Sequence, residues 1–138
     1  SDVGYYYTIV LAFRGEEVLF NRAESYVYKN QLNLALQDLQ LYVAKRYPGN
    51  PALTLPLLRS YYATNNNQFA VLSFIIEERR KEFIHEGLRW FDIRRYQIPV
   101  QHRLSDGTPI TLEADDNRKV LQLPETAIDV GGLEPNPR

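Results

Sequence analysis

The sequence contains neither cysteine nor methionine among its 138 residues. Without thiols it can form no disulfide and no thiolate-metal site, which removes disulfide scaffolds and zinc ribbons from consideration. It opens Ser1-Asp2 with no initiator and no charged-then-apolar leader, as expected of a processed protein or a fragment of a longer one. An excess of one charge sign is also missing. Lys and Arg number 16 and Asp and Glu 17, for a formal net charge of −1, so no basic surface for nucleic acid is expected. Long apolar runs are absent as well. The uncharged stretch from Val3 to Phe13 has 11 residues, short of the roughly 20 that a membrane-spanning helix needs.

Histidine is scarce, with His85 and His102 alone. Neither sits in a ligand-spaced cluster, and no second His follows His85-Glu86, so no metal site is expected. Ser25, Ser60, Ser73 and Ser105 have no nucleophile-elbow context, and no glycine-rich phosphate loop exists. These absences leave no expected catalytic residue and no expected cofactor.

What remains is a globular mixture, 44% hydrophobic and 24% charged, and its patterning predicts a mainly α fold. A helix pair is expected over 14–48. Leu19, Ala23, Tyr26, Val27 and Asn30 mark the face of its first helix. Leu32, Ala35, Leu36, Leu39, Tyr42, Val43 and Arg46 mark that of the second. Pro48-Gly49 closes it. Ala23, Tyr26 and Ala35 fit a tetratricopeptide-type pair, although Tyr42 stands where that repeat uses a small residue. One such pair cannot bury both faces, so neighbouring helices are required.

Thr54 is positioned to cap a short turn of helix entering at Leu55-Pro56, and Asn67 to cap the next. Segment 68–96 reads as a long charged helix to about Glu86 and, after Gly87, a short one. Phe69, Leu72, Ile76 and Phe83 form the apolar line of the long helix, with Ile75 and Ile84 beside it. Alternation in 98–123 around Asp106-Gly107 predicts a small hairpin or a three-stranded meander. The tail 124–138, with Gly131-Gly132 and Pro135-Asn136-Pro137, reads as irregular.

The densest chemistry lies from Glu77 to Arg95, where the signs nearly cancel. Arg79 with Glu82, Glu86 with Arg89, and Asp92 with Arg95 are spaced for pairing on a helix. These six residues are expected to form a structural ion-pair network. The competing reading is a hydrolase built on Glu78, Glu82 or Asp92, with two acids about 5 to 9.5 Å apart across a scissile bond. Flanking arginines favour ionised carboxylates, whereas a general acid must keep its proton. Aromatic side chains are plentiful, at 12% of residues. Tyr26, Tyr42, Tyr47, Trp90 and Phe91 are expected to pack internally. Tyr61 and Tyr62, beside an Asn-rich loop, are the candidates for contacts to a sugar face, since flat rings suit it.

Three motifs in order resemble the SusD/RagB proteins. The first runs Arg14-Gly15-Glu16-Glu17-Val18-Leu19 into Asn21-Arg22-Ala23-Glu24-Ser25, with Leu34-Ala35-Leu36-Gln37-Asp38-Leu39 after it. The second is Glu78-Arg79-Arg80-Lys81-Glu82-Phe83 with Glu86-Gly87-Leu88-Arg89-Trp90-Phe91-Asp92-Ile93. The third is Leu123-Pro124-Glu125 with Asn136-Pro137. The resemblance implies a helical fold with tetratricopeptide-like pairs and a single C-terminal segment, 1–138, of a larger SusD-like domain. It further implies a non-catalytic, surface-exposed outer-membrane lipoprotein that binds glycans or other nutrients and works with a SusC-like TonB-dependent transporter. Membrane attachment would come only from a lipid anchor outside this chain. The family's sugar contacts lie largely in regions this chain lacks, so no ligand-binding residue is carried over. The alternative is a tetratricopeptide-type protein-interaction module, which needs several stacked repeats.

Overall fold

In the computed structural model, which describes residues 13–137, the two periodic segments form α1 (Gly15–Tyr28) and α2 (Leu32–Arg46). The Tyr5-Tyr6-Tyr7 run lies outside the described residues. The pair turns at Asn30, whose φ of 56° closes α1 while the Gln31 amide reaches back 2.8 Å to the Tyr26 carbonyl. Asn is among the few residues other than Gly that enter this left-handed region readily. After Pro48 the chain forms α3 (Leu55–Tyr61), then α4 (Asn67–Glu82). The chain falls into two compact units, the first ending at Glu82 and the second starting at Phe83.

In the first unit α1, α2 and α4 pack together, and α3 packs on α4. The core consists of Phe20, Ala23 and Val27 from α1, Ala35, Leu39, Tyr42 and Val43 from α2, Leu58 from α3, and Ala70, Val71 and Ile75 from α4. Burial of each large side chain contributes roughly 1.5–3 kcal/mol. The Phe20 and Tyr42 rings meet at 4.7 Å between centroids. Helix α4 runs antiparallel to α1: Gln68 Nε2 donates to the Val27 carbonyl (2.9 Å) near one end, and Arg79 Nη1 to Asn21 Oδ1 (2.9 Å) near the other.

Local signals position the helix starts. Thr54 Oγ1 accepts from the Leu57 amide, as its place before Leu55-Pro56 predicts. The cap of α4 is Asn66, not Asn67: Asn66 Oδ1 accepts from the Phe69 amide at 3.0 Å. The apolar line expected along α4 is also displaced. Ile75 and Phe83 are buried as expected, but Phe69 and Ile84 are exposed, and the buried residues within the helix are Ala70, Val71, Ile75, Glu78 and Arg79. The buried stripe continues from apolar into charged residues, so a hydrophobic period alone places it one residue off. Helix α4 also stops at Glu82, before the expected Glu86, and His85 takes φ 66° beyond it.

The second unit begins with α5 (Leu88–Arg95), followed by β1 (Val100–Arg103) and β2 (Pro109–Leu112). The strands pair antiparallel in the register Val100 to Leu112 and His102 to Ile110. Gly107, at φ 85°, and the Asp106 carboxylate, accepting from the Thr108 amide at 2.8 Å, make the turn. Among the described residues the sheet has two strands. Val120 to Leu123 pairs with neither, because Asn117–Lys119 coils into a 3-10 turn under the Asp116 cap. Lys119 is buried there, its Nζ donating to the Ile98 and Ala114 carbonyls at 3.0 Å each. The tail carries one short helix, α6 (Glu125–Asp129). Gln122 then holds the Asn136 backbone at both amide positions, 2.8 and 3.2 Å. Phe91, expected inside, is 68% exposed.

Ala23 and Ala35 are fully buried. Leu at either position overpacks the α1–α2–α4 core and is expected to cost about 1–3 kcal/mol. Ala44→Leu, on the exposed side of α2, is expected to leave the thermal midpoint of the intact protein unchanged. Circular-dichroism melting of the three variants checks this.

Candidate binding cleft and the acidic face of α4

Helix α4 turns an acidic edge, Glu77, Glu78 and Glu82, toward the end of α2 and the loop after it. Glu78 and Glu82 are almost completely buried at the side chain, 3% and 6% exposed. Buried carboxylates require partners, and three elements supply them. Tyr42 Oη, from α2, donates to Glu78 Oε2 (3.2 Å) and Glu82 Oε2 (3.4 Å). Tyr47 Oη donates to Glu78 Oε2 at 2.8 Å. Arg14, at the start of α1, and Arg46, at the end of α2, both pair with Glu82 Oε1. Arg14 Nη1 also reaches the Glu82 carbonyl at 3.3 Å. Lys81 Nζ bridges Glu77 Oε1 (2.8 Å) and Glu78 Oε1 (2.7 Å). Tyr42 thus explains the missing small residue of the repeat pattern: a small side chain there would leave Glu82 without a phenol and Glu78 with that of Tyr47 alone.

Beside this edge lies a cleft of about 270 Å³. Its walls are the 51–53 loop, Leu57 and Leu58 of α3, Phe74 of α4, and three tyrosines, Tyr47, Tyr61 and Tyr62. Glu77, Glu78 and Lys81 form its polar side. Tyr62 Oη donates to Glu77 Oε2 at 2.8 Å. The Tyr61 ring, 68% exposed, stands edge-on to Tyr62 at 4.8 Å. The loop wall is held by one side chain. Gln40 Nε2 donates to Asn50 Oδ1 (2.8 Å) and the Pro51 carbonyl (3.1 Å), while its Oε1 accepts from the Leu53 amide (2.7 Å).

The sequence-selected residues are divided between the two units. Tyr61 and Tyr62 come together in the cleft. Arg79 is buried and donates to Asn21, and Glu82 takes its partners from α1 and α2. In the second unit Asp92 is buried, with its carboxylate 3.5 Å from Arg95 Nη2. Glu86 is exposed and Arg89 half-buried there. Helical spacing could not reveal Arg14, Arg46, Tyr47 or Gln40 as parts of the site, because their partners are distant in sequence. The same is true of Arg22, which grips Asp38 through two bonds of 2.7 Å between α1 and α2.

The pairs Arg14 with Glu82, Asn21 with Arg79 and Arg22 with Asp38 join residues of the motifs quoted above, and the family comparison matches a SusD family model over residues 1–127. The chain belongs to the SusD family. No curated protein and no solved structure matches it significantly. A nutrient- or glycan-binding role goes with this family. Among the described residues of this SusD-family chain, no helix is long and apolar enough to cross a membrane.

The electrostatics of the site follow from its partners. Hydrogen bonds from Lys81 and then Tyr62 hold Glu77 below the usual carboxylate range. Burial pushes Tyr42 and Tyr62 well above the usual phenol range, reinforced by Glu78 for the first and by Glu77 for the second. Tyr47 is raised by burial and by Glu78. Burial works against the Lys81 ammonium, but Glu77 and Glu78 outweigh it and raise its pKa. Each of these four groups holds its proton more tightly folded than unfolded. As pH climbs past about 10 the unfolded chain loses those protons first, so stability falls. Glu77 acts in the opposite sense at the acid end, where its contribution disappears as pH drops below the usual carboxylate range.

The thermal midpoint of this SusD-family chain is therefore expected to hold near neutrality and fall above about pH 10. Tyr62→Phe should reduce that alkaline loss, as pH-dependent melting can check; a midpoint rising above pH 10 would contradict the assignment. Gln40→Ala should free the Leu53 amide and speed its hydrogen exchange about fivefold, the equivalent of one hydrogen bond of ~1 kcal/mol.

Proposed function

We propose that this chain is the helical scaffold portion, 1–138, of a larger SusD-like domain in a non-catalytic outer-membrane component that binds glycans or other nutrients. In that setting it is exposed at the cell surface and works with a SusC-like TonB-dependent transporter, attached to the membrane through a lipid anchor outside this chain. The observation that carries this reading is the SusD-family match over 1–127. Arg79, Glu82, Glu86, Arg89, Asp92 and Arg95 then serve structure, with ligand capture left to other parts of the whole protein. Side-chain chemistry supports the division. Glu82 is clamped by two guanidinium groups, and Glu78 by two phenols and an ammonium. Acids so engaged act as fasteners between helices. Both line an open depression beside Arg14, Arg46 and Tyr47, and there each carboxylate is engaged by the cations and phenols named above.

Calorimetry of the intact protein against a panel of glycans and other nutrients tests the binding role, and silence across the whole panel would overturn it. Glu78→Ala and Glu82→Ala are each expected to destabilise by about 3–5 kcal/mol, the cost of breaking a buried pair. On the hydrolase reading the wild-type protein would instead release sugar from the same panel, and these substitutions would abolish that release.

A further inference from the structure

We propose that the cleft between α3 and α4 is a binding site for an organic ammonium ion with an apolar body, its cation held against tyrosine faces beside Glu77. The first observation is what the walls are made of. Leu53, Leu57, Leu58 and Phe74 present carbon to the interior, and a volume of about 270 Å³ suits a ligand of ring size, at the lower edge of the roughly 300–1,000 Å³ usual for small-molecule sites.

The second observation is how the polar groups are spent. Tyr62 Oη donates to Glu77, Tyr47 Oη to Glu78, and Lys81 bridges both acids. A sugar offers a rim of hydroxyls that needs donors and acceptors to spare, and here they are committed within the protein. An ammonium ion on a hydrocarbon body asks for acceptors alone, and the Glu77 carboxylate, with one partner on each oxygen, keeps lone pairs for it.

The third observation is charge. Two carboxylates and one ammonium line the cleft, which leaves one net negative charge facing it. Tyrosine faces carry negative quadrupole potential and attract a cation within about 6 Å of the ring. The Tyr61 ring, 68% exposed beside Tyr62, offers such a face. Glu77 keeps 30% of its side chain open to solvent, so a ligand cation can approach it. This site goes beyond the nutrient-binding role and stands independently of where a glycan binds.

Two ring-and-chain probes of matched shape and opposite charge, phenethylammonium and phenylacetate, test it by calorimetric or NMR titration of the intact protein. Phenethylammonium is expected to bind saturably and at least about tenfold more tightly than phenylacetate. Tyr61→Ala, at an exposed position that folding tolerates, should weaken it about tenfold, and Glu77→Gln should weaken it similarly. Tyr62→Phe keeps the ring and frees an oxygen of Glu77, so binding should persist. Equal affinity for the two probes, no saturable binding of phenethylammonium, or binding indifferent to Tyr61→Ala would each overturn the proposal. Should Glu77→Gln fail to fold, Tyr61→Ala and the charge-reversed probe still decide.

Discussion

The first unit depends on taking two carboxylates of α4 out of water. Glu78 and Glu82 lie among packed helices, where an unpartnered acid would be strongly destabilising. Their partners are Arg14 from the start of α1, Tyr42 and Arg46 from α2, Tyr47 from the loop after it, and Lys81 from α4 itself. Three helices and a loop must reach the right positions together before the acids are satisfied. Apolar packing around Phe20, Leu39 and Ile75 brings the helices close. The acids then select one arrangement among the many that would bury the same carbon, since sliding any helix by a turn would strand a charge.

This coupling explains what the sequence did and did not disclose. The α1–α2 hairpin was legible because apolar residues recur at helical spacing and Asn30 and Pro48-Gly49 punctuate the ends. The hairpin at Asp106-Gly107 was legible through turn chemistry. The inward face of α4 was legible only in part, because two of its five buried residues are charged: a hydrophobic period selects Phe69 and Leu72 with Ile75 beside them, while the fold buries Ala70, Val71, Ile75, Glu78 and Arg79. The site was legible only in fragments. Tyr61 and Tyr62 could be singled out as paired aromatics beside a polar loop, but Gln40, Tyr47 and Glu77 become their neighbours only through tertiary contact. Local spacing rules reach three or four residues along a helix, whereas Arg14 and Glu82 are 68 positions apart.

The family motifs take on a physical meaning in this light. Arg14, Asn21 and Arg22 in the first motif meet Glu82, Arg79 and Asp38, in that order. Gln122 and Asn136, near and within the closing motif, fasten the tail to the segment before α6. What looks like a scattered signature in one dimension includes three matched pairs of polar contacts.

Gln40 shows how finely the cleft wall is set. Its amide nitrogen faces two oxygens, on Asn50 and Pro51, while its amide oxygen faces the Leu53 N–H. Deamidation to glutamate would keep the side-chain shape almost unchanged yet turn the nitrogen's position into an oxygen opposite two others. A single atom exchanged by chemical ageing would then repel the loop it had secured and widen the mouth of the cleft.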